Sequence, residues 1–132
     1  MQKKIAVSFP GGKKVDASFE GWTIHTDQSV KNGGDNTAPN PFDLFFASLA
    51  ACAGFYALEF CQARELSTEG LAVQLDAARD PAKKLFTPIR IAITLPQDFP
   101  DKYRKAILKT ANLCTVKKHI INTPEFEVVL AD

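Results

Sequence analysis

The chain has almost no charge imbalance. Sixteen Lys and Arg stand against fifteen Asp and Glu, a formal net charge of +1 over 132 residues. A protein that wraps phosphates carries a basic excess or stripe, so no nucleic-acid partner is expected. Cysteine is scarce: Cys52, Cys61 and Cys114 are too few and too widely spaced for a secreted disulfide scaffold. The expected compartment is therefore the cytoplasm, where thiols stay reduced. Histidine is limited to His25 and His119, and neither C-x-x-C nor H-x-x-x-H spacing occurs, so no metal site is expected. The apolar run in Met1–Pro10 is too short for a signal-peptide core and stops at Pro10-Gly11-Gly12. Ser48 lacks a nucleophile-elbow sequence. No strand feeds directly into Gly33-Gly34, which removes a phosphate loop.

What remains is apolar and regular. Hydrophobic residues make up 45% of the chain and include ten Phe, enough to bury a core in one domain spanning 1–132. Ile5, Val7 and Phe9, then Val15, Ala17 and Phe19, alternate with polar neighbours around a Gly-Gly turn, which predicts a β-hairpin. A third run, Trp22–Thr26, follows Gly21. The polar stretch from Asp27 to Asn40 is a long loop, a length that in a compact domain is often functional.

The helix after that loop is the central feature. Asn40 is placed to cap it, Pro41 suits its first turn, and Asp43 puts a carboxylate at its N-terminus. From Leu44 to Leu58 Ser48 is the sole polar side chain. That run of fifteen is shorter than the roughly 20 residues that span a bilayer, so a buried core helix is expected and no membrane partner. A helix apolar on every side needs cover on every side, which one short chain hardly supplies, and a homodimer packed about it answers that need.

Beyond it, Leu71, Val73, Leu75 and Ala77 alternate as a strand, Arg79-Asp80-Pro81 turns, and Ile89, Ile91, Ile93 and Leu95 form another. Tyr103, Ile107, Ala111 and Cys114 fall on one stripe of a second helix, and Val116 and Ile120 continue or restart a helical turn. Phe126, Val128 and Leu130 are expected to close the chain as a last strand. The order predicts an α+β fold with mainly antiparallel pairing.

Two cysteines stand out. Cys52 lies mid-helix between small neighbours, Ala51, Ala53 and Gly54, that leave room for another element or a ligand to approach the sulfur. Cys114 lies on the inner stripe of the second helix. Both face the core and could meet, whereas Cys61, nine residues beyond Cys52, is half a turn out of phase. Two readings stand at this point: buried thiols that act as small apolar side chains, or a working pair. Glu59 shares the face of Cys52 and reads either as an acid near the site or as a solvated helix end.

The segment Gly33-Gly34, then Pro39-Asn40-Pro41-Phe42-Asp43-Leu44 and Ala47-Ser48-Leu49-Ala50-Ala51-Cys52, resembles the OsmC/Ohr family of osmotically inducible and organic-hydroperoxide-resistance proteins. Cys114-Thr115-Val116-Lys117-Lys118-His119-Ile120 resembles that family's second cysteine motif. The resemblance implies an OsmC-like α+β fold in an intertwined homodimer, its antiparallel sheets wrapped around central cysteine-bearing helices. It also implies a thiol peroxidase without metal or organic cofactor. Cys52 attacks an organic hydroperoxide and becomes a sulfenic acid. Cys114 then resolves it to a Cys52–Cys114 disulfide, and an external dithiol, often a lipoylated protein in that family, restores both thiols. Phe45, Phe46, Phe55 and Tyr56 would form apolar substrate walls, with Asp43 and Glu59 as supporting acids.

One departure stands out. Peroxidases of the family activate the thiolate with an arginine from the N-terminal strands, held by a glutamate before the helix. In this sequence the first arginine is Arg64, and Phe42 occupies the glutamate position with Asp43 beside it. Lys13, Lys14, Lys31 and His25 are the cations available to substitute. The competing reading, given that departure, is a non-enzymatic OsmC-like dimer that binds a small hydrophobic ligand or thiol carrier.

Overall fold

A computed structural model describes residues 2–131. The fold is α+β. The chain divides into two compact units, residues up to 47 and residues from 48 onward.

The first unit holds three antiparallel strands, β1 (Ala6–Gly11), β2 (Lys14–Phe19) and β3 (Trp22–Thr26), in that order across the sheet. The β2–β3 connection is two residues, Glu20 and Gly21, flanked by the Phe19–Trp22 pair, with φ of 50° and 84°. Two positive φ values make the turn whose twist matches that of the strands it joins. Val7, Ala17 and Ile24 stand in cross-strand register, so the alternating apolar residues of all three strands share one face. His25 and Asp16 face each other on the opposite side, Nδ1 to Oδ1 at 2.9 Å.

The long loop that follows is wound around Asp27, which is 1% exposed. Its carboxylate accepts from the backbone N–H groups of Gln28, Asp35 and Thr37 and from the Thr37 hydroxyl, at 2.7 to 3.3 Å. These bonds hold the carboxyl down to about 2, the Thr37 backbone and hydroxyl bonds contributing most. Glycine is required at position 34, where a Cβ would stand 2.2 Å from the Gln28 carbonyl oxygen. The loop is thus built, and its polarity is spent on its own backbone.

Helix α1 (Pro41–Ala63) begins as its sequence dictates: the Asn40 side-chain oxygen accepts from the Asp43 N–H at 2.8 Å. At 23 residues it is long and apolar enough to cross a membrane by length and composition alone. In the second unit its residues Ala57, Phe60 and Cys61 instead form a buried cluster with Ile107. Strands β4 (Ala72–Asp80) and β5 (Leu85–Thr94) pair antiparallel, with Val73, Leu75 and Ala77 half-buried between exposed neighbours. A 3-10 turn at Asp101–Tyr103 leads into α2 (Arg104–Ala111), and α3 (Thr115–Ile121) restarts the helix after a break at Asn112–Cys114. Ile107, Ala111 and Cys114 are buried, as the helical stripe requires.

The expected last strand is not formed. Residues 122–131 carry no regular structure, and Phe126, Val128 and Leu130 are 87%, 97% and 92% exposed. Alternation gives this segment one apolar face, but a strand also needs a sheet edge to take its N–H and C=O groups. The chain pairs none of its described strands with it.

Candidate active site

The site is made where α1 meets the break between α2 and α3. Cys52 sits mid-helix on α1 and is half-buried. Cys114 is 2% exposed and forms the cap of α3, its backbone at φ −43° and ψ 123° just outside the helix. Its Sγ accepts the Lys117 N–H at 3.5 Å. The two thiols act on each other's ionisation, and all three cysteines are free.

The break before α3 leaves the first N–H groups of that helix without helical partners, and these groups point at sulfur. Burial opposes ionisation of Cys52, but hydrogen bonds from the Val116 N–H, the Cys114 thiol and the Thr115 N–H outweigh it and lower its pKa. Cys114 moves the other way. Burial raises its pKa, as does donating its S–H to Cys52, and the Lys117 and Val116 amides offset this only in part. The pair is therefore polarised, with Cys52 the easier sulfur to ionise and Cys114 the one that keeps its proton. That arrangement suits one nucleophile and one partner thiol.

The cations considered from the sequence have other partners where the structure shows one. Lys14 pairs with Asp35 at 2.9 Å and His25 with Asp16 at 2.9 Å. Within the second unit the groups that act on Cys52 are the Val116 and Thr115 amides and the Cys114 thiol. Sequence reasoning missed those amides because they carry no letter. The available signal was Cys114 as a cap, with Val116 and Ile120 restarting a helix behind it.

Asp43 and Glu59 are the acids expected in support from the sequence. Both are exposed. Glu59 is two helical turns from Cys52, about 10 Å along the axis at 1.5 Å per residue, which leaves solvation of the helix end as its reading. Cys61 is fully buried in the Ile107 cluster, where desolvation raises its pKa.

A cavity of about 760 Å³ opens beside Cys114, walled by aliphatic side chains that include Leu49, Ala53, Ile91, Ile93, Ala111 and Ile120. The aromatic walls expected from the sequence are not these. Phe45 and Phe46 cluster with Phe42 at ring separations of 4.7 to 5.6 Å. Phe55 is 56% exposed and lies edge-on to Tyr56. The reason is helical phase: α1 turns its Leu49–Ala53 edge, one position round from Cys52, toward the cavity. Tyr56 does reach the site, but by its hydroxyl, which is 3.0 Å from the Thr115 Oγ1.

A family model described as OsmC-like protein matches residues 33–129, a span that contains both cysteines. Among solved structures the chain is similar to a proposed osmotic-stress-induced and detoxification-response protein from Psychrobacter arcticus 273-4. The two share 28% identity with a TM-score of 0.72, over 86% of this chain and 85% of that one. It is similar in fold to an OsmC-like protein of unknown function from Vibrio cholerae, at 11% identity and TM-score 0.64, over 89% and 92% of the two chains. It is also similar in fold to an organic hydroperoxide resistance protein OsmC from Legionella pneumophila, at 17% identity and TM-score 0.56, over 91% and 89%. No curated protein matches the chain.

Proposed function

This chain belongs to the OsmC-like protein family, and from that premise we propose that it is a cysteine-based peroxidase acting on organic hydroperoxides. The observation that carries the reading is the pair of free thiols, half-buried Cys52 on α1 and buried Cys114 at the cap of α3 beside an apolar cavity, with the Cys52 pKa lowered and the Cys114 pKa raised. The Cys52 thiolate attacks the outer oxygen of the hydroperoxide. The O–O bond breaks, the alkoxide leaves as the alcohol after taking a proton, and Cys52 holds a sulfenic acid. Cys114 displaces water from that sulfur and the disulfide closes. An external dithiol, a lipoylated protein in the family's usual pattern, reopens it by exchange. No metal or organic cofactor enters any step.

The aliphatic cavity beside Cys114 would take the organic part of the substrate in place of the aromatic walls expected from the sequence. Asp43 and Glu59 have no part in the step. The proposed assembly is a homodimer. Its support is apolar surface that the single chain leaves open: Val7, Phe9 and Trp22 on the face of the three-stranded sheet, Phe55 and Leu58 on α1, and the alternating segment Phe126–Leu130. The compartment we assign is the cytoplasm, where a reduced pair is ready to react.

Turnover of cumene hydroperoxide with a dithiol tests the reading. Cys52→Ser should abolish it, and equal activity in wild type and variant would reject it. A second reading draws on the same cavity, which would hold a small hydrophobic ligand without chemistry. Saturable binding that survives both Cys→Ser changes, with no peroxide turnover, would favour that reading.

A further inference from the structure

The Tyr56 hydroxyl is 3.0 Å from the Thr115 Oγ1, a contact between residues 59 positions apart in sequence. Tyr56 stands one helical turn beyond Cys52 on the same face of α1. Thr115 is the residue after Cys114, and its own N–H and that of Val116 are the backbone groups that lower the pKa of Cys52. One end of this bond is therefore fixed to the helix that carries Cys52, and the other to the segment whose amides serve it. We propose that the Tyr56–Thr115 hydrogen bond is a strap that holds the segment Cys114–Val116 in register against the Cys52 sulfur, which makes Tyr56 a positioning residue for the thiolate. The inference rests on the proposed reading only in giving that thiolate a reaction to perform.

The physical case is one of preorganisation. A backbone N–H stabilises a sulfur anion only while it stays within a narrow range of distance and angle. Leu113 and Cys114 lie outside both helices, so nothing helical ties α3 to α2 on the N-terminal side of these amides. The Cys114 cap orders the first turn of α3 within itself through the Lys117 N–H, but that bond does not reach α1. The Tyr56 bond does. Tyr56 also meets Phe55 edge-on at 5.5 Å, a contact that restrains its ring. Among the described residues Cys114 is the titratable group that acts on Cys52, so the strap works on the thiolate through amides and one thiol, without a neighbouring charge to mask its effect.

Alkylation by iodoacetamide, followed site by site by mass spectrometry across the pH range in which thiols titrate, reads the strap directly. Tyr56→Phe removes the hydroxyl and little else. The expected result is a Cys52 profile displaced to higher pH, with alkylation slowed up to about fivefold on the acid side, as for the loss of one net hydrogen bond. The alkaline plateau should be equal to that of wild type. Thr115→Val should give the same displacement, the double variant no further one, and Thr115→Ser, which keeps a hydroxyl, a profile nearer wild type. A Tyr56→Phe profile superimposable on wild type would overturn the proposal, as would slowing by the same factor at every pH. Because no peroxide enters this assay, peroxide turnover that persists in Cys52→Ser would defeat the proposed function and leave the strap standing.

Discussion

The amides that face Cys52 can be removed one at a time without breaking the fold, and Thr115→Pro is the cleanest cut. Thr115 is the first helical residue of α3, where the N–H has no helical acceptor and proline is well tolerated. The residue before a proline is driven to extended backbone, and Cys114 already lies at φ −43° and ψ 123°. The substitution therefore deletes one donor to the Cys52 sulfur, together with the hydroxyl that meets Tyr56, at little cost to α3. A hydrogen bond to a charged acceptor contributes about 1.5 to 3 kcal/mol. With a soft sulfur acceptor that is half open to solvent, about 1 kcal/mol is the reasonable share. That free energy is roughly a fivefold loss of thiolate below its midpoint. Stopped-flow thiol consumption with cumene hydroperoxide should therefore slow at least about fivefold at pH values below the thiolate midpoint, the lost Tyr56 contact adding to the lost amide, and recover toward the wild-type rate as pH rises. An unchanged rate with an unchanged pH profile would refute backbone activation.

Other consequences follow from the same geometry. Cys114→Ser should still allow one attack at Cys52, after which the sulfenic acid lasts long enough for dimedone labelling or passes to sulfinic acid; a normal intramolecular disulfide map in that variant would contradict the pairing. Asp27, held down to about 2, contributes stability that is present above its unfolded value near 3.8 and lost as pH falls toward 2. Asp27→Asn should lower the melting temperature at neutral pH and flatten the acid limb, and an unchanged acid limb would show that the loop is held by other bonds. Ile107→Ala leaves a hole among Ala57, Phe60 and Cys61 where the side chain is fully buried, at a cost of about 2 to 5 kcal/mol by urea unfolding; a loss below about 1 kcal/mol would place the core elsewhere.

Much of this architecture could be read from residues that declare themselves. Asn40 and Pro41 mark the start of α1, and period-two alternation marks the strands, most plainly in β4, where Val73, Leu75 and Ala77 are half-buried between exposed neighbours. The Cys52–Cys114 pair was half legible. Helical phase put both sulfurs on inner faces and set Cys61 apart, but only the family resemblance joined them, since spacing along a chain says nothing of distance across it. The activating groups were not legible at all, because backbone amides at Thr115 and Val116 depend on a break in the helix and not on side-chain type. Phe45, Phe46 and Phe55 do not line the cavity beside Cys114, where the phase of α1 places Leu49 and Ala53. Phe126–Leu130 has the pattern of a strand, but none of the described strands pairs with it.

The most direct test of the central claim is a thiol count of the reduced protein after one equivalent of cumene hydroperoxide, with non-reducing peptide mapping. The expected result is the rapid loss of two thiols, Cys61 untouched, and one new linkage between Cys52 and Cys114. Three thiols still free after minutes, or a linkage that includes Cys61, would contradict it.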